Sequence, residues 1–307
     1  MPTPPARHVV ISDTVAAAVA DGRPVLALES TIFTHGLPRP SNVEVALGAE
    51  EQVRGLGAVP ATIGVVDGVA TVGLSEEQIR RLAYDDEVIK VSVRDLPVAI
   101  ATGASGGTTV ACTAFLAHRA GIRVFSTGGL GGVHRSSSGQ SFDESADLTV
   151  LAQTPILMVS AGVKSILDIA ASLERMETLS LPVVGYRTHA FPGFYVTDSG
   201  HRLQHAVDGP EQAAALARAR DELGLTAAVL VANPVDPALQ LDPGLHDKVL
   251  AEAWQAALDA GISGNETTPF LLDYITRTTD GVSKKVNVEV YRNNVEVGTL
   301  IAKALVA

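Results

Sequence analysis

The sequence has few of the features expected of a disulfide-stabilised or nucleic-acid-binding protein. Its 307 residues include one cysteine, Cys112, which excludes an internal disulfide and a zinc cluster of cysteines. The 23 lysines and arginines are outnumbered by 34 aspartates and glutamates, and they form no basic run. With a net charge of -11, binding of nucleic acid through its phosphates is not supported.

Long apolar segments are also missing. The longest apolar region, residues 148–163, is interrupted at residues 153–155 and at Ser160. The first 22 residues include Asp13 and contain no continuous apolar stretch, so neither a secretory signal nor a membrane span is predicted. With the single cysteine, these absences predict a cytoplasmic protein that does not bind membranes.

What is present is an alternation of apolar runs and helical segments. With 46% apolar residues and no linker or repeat, we expect one α/β catalytic domain over residues 1–307 with a mostly parallel sheet. Two junctions are predicted in detail. Residues 94–121 should form a helix, a glycine-rich turn and a second helix, and another helix should begin directly at Lys164.

Lys164 lies at the end of an apolar run, PILMVSAGV, in the segment SAGVKSILD. At a helix N-terminus the partial positive charge disfavours an ammonium ion, which favours the neutral amine. A neutral lysine amine can act as a nucleophile and form a Schiff base. The alternative is an ordinary lysine whose ammonium group reaches solvent from a surface turn.

Several other polar residues should meet Lys164 at the carboxyl edge of the sheet. Glu29 follows the predicted strand Val25 to Leu28, and Lys90 lies in the predicted strand VIKVSV. The glycine-rich segment before Thr109 is compatible with an oxyanion or phosphate site, although such turns more often serve only tight packing. Residues 143–147, DESAD, offer carboxylates suited to Mg²⁺ or Mn²⁺, although a solvated acidic loop would look the same.

Two lysines and a carboxylic acid indicate imine chemistry on a sugar phosphate. Lys164 would attack an aldehyde carbon, Glu29 would move protons, and Lys90 would keep the amine neutral or bind an oxyanion. From the residues alone, an aldolase-like enzyme is equally compatible. A nucleotide-binding module without catalysis is a third reading.

Several motifs in order along the chain resemble one family. They are ALESTIFTHGLPRPSN, GAVPATIGVVDG, KVSVRDLPVA, GGTTVACTAFLA, STGGLGGVHR, FDESADL, SAGVKSILD, TPFLLD and KKVN. Together they resemble the pseudouridine-5'-phosphate glycosidase family, which includes the indigoidine synthase A-like proteins. The resemblance implies a three-layer α/β/α fold, a homotrimer, and a divalent metal, Mn²⁺ or Mg²⁺. It also implies reversible conversion of pseudouridine 5'-phosphate and water to uracil and ribose 5-phosphate.

The resemblance also implies residue roles. Glu29 matches the proton donor, Lys164 the covalent nucleophile and Asp143 the metal ligand. The positions that match substrate contacts are Lys90, Thr109, Val110, Ser145, Ala146, Asp147 and Asn287, the last of which faces the base.

An alternative follows from relatives that join ribose 5-phosphate to an aromatic polyketide. Three segments depart from what the family leads us to expect: the serine-rich insert in HRSSSGQSFDESADL, THAFPGFYVTDSGHRLQH and YRNNVEVG. They fall where the base should bind, so the alternative activity is that of a C-glycosynthase with the same sugar donor and a different acceptor.

Overall fold

The structure is a computed structural model that describes residues 8–135, 143–262 and 267–307. The strands in these ranges are β1 (Val9–Ile11), β2 (Val25–Leu28), β3 (Val59–Val66), β4 (Val69–Val72), β5 (Ile89–Val91), β6 (Gly106–Thr108), β7 (Val124–Ser126), β8 (Leu157–Ser160), β9 (Val183–Tyr186), β10 (His205–Val207) and β11 (Val229–Ala232). The helices are α1 (Asp13–Ala20), α2 (Ser41–Gly55), α3 (Glu76–Tyr84), α4 (Leu96–Thr102), α5 (Val110–Arg119), α6 (Ala146–Leu151), α7 (Ile169–Thr178), α8 (Pro210–Glu222), α9 (Pro243–Asp259), α10 (Thr267–Thr278) and α11 (Val282–Val306).

All of these strands belong to one sheet. Its main path runs β1-β4-β3-β2-β7-β8-β11-β9-β10, and β5 and β6 attach through β3. The pairings of β3 with β4 and with β6 are antiparallel, and the other strand pairings of the described chain are parallel. The predicted, mostly parallel α/β sheet is therefore confirmed.

Two apolar cores lie on opposite faces of the sheet. Successive side chains of a strand point to opposite faces, and in β2 Val25 and Ala27 enter one core while Leu26 and Leu28 enter the other. The first core includes buried residues of α1, α5, α6, α9 and α10, and the second includes those of α2, α3, α8 and α11. This is the expected three-layer α/β/α arrangement.

Both detailed junction predictions need correction. The glycine-rich turn between α4 and α5 contains a short strand, β6, in which Gly107 pairs with Lys90 of β5. No helix begins at Lys164, because α7 starts at Ile169 after Asp168, which caps it by accepting a hydrogen bond from the main chain. Lys164 lies instead in a loop, where its main-chain N–H donates to the Leu130 carbonyl over 3.1 Å.

Several short strands were not predicted. The strands β3 and β4 are joined by Asp67 and Gly68, whose φ angles of 49° and 74° are those of a tight hairpin turn. An Asp-Gly pair between apolar runs is a hairpin signal, so β4 could have been predicted from the sequence. β1 and β10 have three residues each and carry no comparable signal. None of the helices in the described ranges combines the length and apolarity needed to cross a membrane.

The contact between α11 and β7 yields a stability prediction. A Cβ on Gly298 would lie 2.0 Å from the Ser126 hydroxyl oxygen, so Gly298→Ala must break the hydrogen bond from that hydroxyl to the Asn294 carbonyl or shift the helix. We expect it to lower the free energy of unfolding by about 1–3 kcal/mol. Gly48 of α2 is the matched control, because a Cβ there meets nothing within 4 Å. Gly48→Ala should raise stability by about 0.5–1 kcal/mol through helix propensity. Urea unfolding of both variants measures this, and equal effects would contradict the packing shown here.

Candidate active site

Four parallel strands end side by side at one edge of the sheet. Leu28 of β2 pairs with Ser126 of β7, and Ser126 pairs with Val159 of β8. Ser160 of β8 pairs in turn with Ala232 of β11. Open α/β sheets bind ligands beyond such carboxyl ends, so this edge is the candidate active site. The residues that directly follow the four strands are Glu29, Thr127, Ala161 and Asn233.

Glu29 is a buried carboxyl group held by two hydroxyl groups. Only 7% of its surface is exposed, and its two oxygens accept hydrogen bonds from the hydroxyls of Thr31 and Thr127. Burial raises the pKa of Glu29, and the positive charge of Lys164 and the two hydroxyl donors oppose that rise only in part. A carboxyl group that keeps its proton to higher pH suits the role of general acid.

The two lysines predicted to meet Glu29 do so. Lys90 extends from β5 and keeps solvent contact, whereas Lys164 is half-buried. Partial loss of water around the Lys90 ammonium lowers its pKa, and the positive charge of Lys164 lowers it further. The negative charges of Asp147 and Glu29 oppose this shift. Because charges influence one another's pKa appreciably only at short range, these effects place the four groups in one site.

His35 is a further titratable group near this site. Partial burial lowers the pKa of His35, and the positive charge of Lys90 lowers it further. Its Nδ1 lies 2.7 Å from the hydroxyl oxygen of Thr34. From the sequence alone His35 is expected to be a hydrogen-bonded structural histidine, and the π-helical turn Ile32–Gly36 after Glu29 is what brings it towards Lys90.

Asp147 is buried and connects two main-chain segments of the site. One carboxylate oxygen accepts a hydrogen bond from the Ala111 N–H over 2.9 Å, and the other accepts from the Gly131 N–H over 2.8 Å. The first turn of α5 and the glycine-rich segment after β7 are therefore held together by one side chain. Its role as a substrate contact stays a prediction, whereas its structural role could not be read from the sequence.

The predicted contacts at two helix N-termini lie beside this connection. Thr109 caps α5 by accepting a hydrogen bond from the Cys112 N–H, and its own N–H donates to the Val91 carbonyl next to Lys90. Val110, the first residue of α5, is buried. At α6, Ser145 is the cap, whose hydroxyl accepts from the Asp147 N–H over 3.2 Å, and Ala146 is exposed.

Asp143 has the chemistry of a ligand for a hydrated divalent ion. It is exposed, and one of its carboxylate oxygens lies 2.8 Å from Nδ1 of His134. The described ranges contain no group of three or more His, Cys, Asp or Glu residues placed to hold a metal. Mg²⁺-type ions use one or two carboxylates with several waters, so Asp143 fits such an ion but not a metal cage made of protein groups. Most of the serine-rich insert, residues 136–142, lies outside the described ranges.

The helix α11 brings two asparagines to the site. Asn287 reaches the glycine-rich segment, because a Cβ on Gly128 would lie 3.5 Å from its side-chain oxygen. Asn294, which the sequence analysis did not single out, is fully buried and donates hydrogen bonds to the carbonyls of Thr127 and Gly128. The seven-residue spacing of the two asparagines, two helical turns, was the signal available in the sequence.

Cys112 takes no part in this chemistry. It is buried on α5, and burial raises the pKa of its thiol to about 12. A thiol that stays protonated at neutral pH is a poor nucleophile and a poor metal ligand.

Comparison with known proteins supplies a family. A family model described as indigoidine synthase A like protein matches residues 14–304. A curated pseudouridine-5'-phosphate glycosidase from Saccharopolyspora erythraea is 64% identical over 296 residues, which cover 96% of this chain and 97% of the relative. A protein of the same name from Frankia alni is 57% identical over 98% of this chain and 83% of its own.

Two solved structures share the fold. The prealnumycin C-glycosynthase AlnA, solved in complex with ribulose 5-phosphate, superimposes with a TM-score of 0.91 at 37% identity and covers 98% of both chains. An indigoidine synthase A-like protein from Thermotoga maritima superimposes with a TM-score of 0.88 at 34% identity, again over 98% of both chains.

The raised pKa of Glu29 predicts a pH-dependent cost to stability. Between the pKa of the unfolded chain and the higher pKa of the folded chain, the folded state binds more protons, so stability falls as pH rises through that interval. Glu29→Gln removes this titration. We therefore expect the variant to gain stability relative to the unsubstituted chain as pH increases, as measured by urea unfolding at several pH values. Glu51→Gln removes an exposed carboxylate as the control. A pH-independent difference for Glu29→Gln would contradict the raised pKa.

Proposed function

This chain belongs to the indigoidine synthase A-like protein family, and on that premise we propose that it reversibly cleaves the C–C glycosidic bond of pseudouridine 5'-phosphate. The products of cleavage are uracil and ribose 5-phosphate. The observation that carries the proposal is the meeting of a buried, proton-retaining Glu29 with Lys90 and Lys164 at one edge of the sheet. The names of the curated relatives support the same substrate.

The reaction explains why lysines stand where an ordinary glycosidase has two carboxylates. The leaving group of a C-glycoside is a carbon atom, so protonation of a bridging oxygen cannot release it. In the proposed path the Lys164 amine bonds to C1' of the ribose as the bond from C1' to the ring oxygen breaks, and Glu29 gives that oxygen its proton. The nitrogen then gives its extra proton to the Glu29 carboxylate, its lone pair forms an iminium at C1' as the bond to uracil breaks, and Glu29 delivers the proton to C5 of uracil. Water hydrolyses the imine to ribose 5-phosphate and restores the amine.

The remaining groups bind and orient the sugar phosphate. We assign the phosphate to Lys90, Thr109 and the main chain at Val110, at the start of α5, because the Ala111 N–H of that turn is already bound by Asp147. Ser145, Ala146 and the main chain at Asp147 line the start of α6 nearby. Asp143 would hold Mn²⁺ or Mg²⁺, which supplies positive charge beside the phosphate when bound. Asn287 is assigned to the base.

The assembly and the compartment follow from family resemblance and composition. We propose a homotrimer located in the cytoplasm, the latter in line with the single buried cysteine. A mass of three chains in light scattering would support the assembly, and a monomer mass would rule it out.

The imine step can be trapped. Incubation with ribose 5-phosphate and borohydride, followed by peptide mass mapping, should place a reduced sugar adduct on Lys164. Lys164→Arg should lose the adduct and at least about 1,000-fold of turnover, because an arginine cannot form the imine. Lys303→Arg is the control, since Lys303 is an exposed lysine on α11 that bonds to the Leu56 carbonyl. A binding module would give no adduct, and an aldolase would give an adduct but cleave the carbon chain of the sugar.

The similarity to AlnA favours one second candidate, a C-glycosynthase that joins ribose 5-phosphate to an aromatic acceptor. The discriminating experiment offers ribose 5-phosphate with uracil or with a polycyclic phenol, each with and without Mn²⁺. We expect pseudouridine 5'-phosphate from uracil and a higher rate with the ion. If a C-glycoside forms with the phenol but not with uracil, the acceptor is an aromatic compound other than uracil, and ribose 5-phosphate remains the sugar donor. Equal rates after removal of divalent ions with a chelator would remove the metal from the proposal.

A further inference from the structure

The amide of Asn294 is fully committed to the ends of two strands in the active-site edge. Its Nδ2 donates to the Thr127 carbonyl over 2.8 Å and to the Gly128 carbonyl over 3.1 Å. Its Oδ1 accepts from Nδ2 of Asn233, the residue after β11, over 2.9 Å. The side chain is 0% exposed, so no water competes for these bonds. Asn294 therefore holds the carboxyl end of β7 at a fixed position.

Thr127 links Asn294 to Glu29, the proposed acid. Its N–H donates to the Val159 carbonyl over 3.0 Å, and its carbonyl accepts from Asn294, so its main chain is held on both sides. A threonine has few χ1 rotamers, so a fixed main chain also directs its hydroxyl group. That hydroxyl donates to Glu29. A donor to the carboxylate favours the charged form and thus limits the pKa of Glu29.

The hydrogen bonds from Asn294 to Thr127 and Gly128 also set the position of α11 along the sheet. Asn287 lies seven residues before Asn294, two helical turns away on the same face of the helix. Its side-chain oxygen faces Gly128, the residue whose carbonyl Asn294 binds. A second bond, from the Ser126 hydroxyl to the Asn294 carbonyl over 2.8 Å, holds the helix main chain at this point. A shift of α11 would therefore move Asn287 relative to the glycine-rich segment.

We propose that Asn294 is a positioning residue, which directs the Thr127 hydroxyl at Glu29 and aligns Asn287 with the acceptor. The inference rests on the proposed function, in which Glu29 is the acid and Asn287 faces the base. Asn294 touches neither substrate nor the reacting atoms. It acts through the main chain of Thr127 and Gly128.

The test is the pH profile of Asn294→Ala beside that of Thr127→Val. Activity depends on protonated Glu29, so kcat falls as pH rises through the pKa of that group. Loss of the hydroxyl donor raises this pKa, and both variants should move the alkaline limb of the profile to higher pH. Asn294→Ala should also lower kcat by about 10-fold to 100-fold and raise KM for the nucleotide, through misplacement of Glu29 and Asn287. Ribose 5-phosphate should still be trapped on Lys164.

A double variant separates positioning from general destabilisation. If Asn294 acts on Glu29 through Thr127, the alkaline limb of Asn294→Ala with Thr127→Val should coincide with that of Thr127→Val alone. Thr299→Val is the matched control, because it removes another fully buried hydrogen bond from α11, from the Thr299 hydroxyl to the Val295 carbonyl. It should lower stability without moving the profile.

Two outcomes would overturn the inference: unchanged kcat and pH profile in Asn294→Ala, or additive shifts in the double variant. If Asn294→Ala does not fold, Asn233→Ala replaces it, since this removes the partner that orients the Asn294 amide. It should shift the profile in the same direction, and a folded variant with an unshifted profile would equally contradict the proposal. If the unsubstituted chain forms no adduct and releases no uracil, the proposed function fails, and the inference fails with it.

Discussion

The parallel register of β2, β7, β8 and β11 is the constraint on which the active-site edge depends. Each strand is short, apolar and buried, and the four end within one residue of each other. Successive strand residues point to opposite faces of the sheet. A shift of β2 by one residue would therefore move each of its side chains to the opposite core and turn Glu29 away from Thr127. Because both faces are covered by helices, such a shift would put Val25 and Ala27 into the space filled by Leu26 and Leu28, and the reverse, which would disrupt the packing of both cores. The packing of the whole three-layer fold therefore fixes where the carboxyl group of Glu29 lies.

Burial at this edge of the sheet brings the pKa of Glu29 and the pKa of Lys90 closer together. It raises the pKa of Glu29 and lowers that of Lys90, in both cases because the charged form loses contact with water. A carboxyl group with a raised pKa beside an amine with a lowered pKa is an arrangement that suits proton transfer in the proposed imine chemistry. The electrostatics alone do not select between the two lysines. The assignment of the nucleophile to Lys164 comes from the motif that surrounds it, which is why trapping at that residue decides the mechanism.

Sequence patterns predicted the parts of the site that depend on local order. The ends of strands can be predicted from apolar runs and from the polar and turn-forming residues that bound them. The predicted strand ends placed Glu29, Lys90 and Lys164 at one edge of the sheet. The helix expected at Lys164 was wrong, because the main-chain pairing with Leu130 that replaces it joins segments more than 30 residues apart. For the same reason the sequence could not show that Asp147 accepts hydrogen bonds from the main chain of Ala111 and Gly131. Such roles depend on partners that only the folded chain brings near.

In the proposed function, the residues assigned to the sugar and the residue assigned to the acceptor are held by different parts of the fold. Lys90 lies in β5, Glu29 directly follows β2, and Lys164 lies in the loop after β8 that pairs with Leu130, whereas Asn287 belongs to α11. The aromatic loop after β9 adds Phe194, which keeps a φ of 65° and packs its ring against Gly129. A non-glycine residue in this conformation carries a cost of about 1–2 kcal/mol, so the surrounding contacts must hold the loop in place. Changes in α11 or in this loop can reshape the surroundings of the acceptor while the sheet holds the residues assigned to the sugar. In the proposed mechanism one scaffold can thus serve both C-glycoside cleavage and C-glycoside synthesis, since the same imine would either release or accept the carbon substituent.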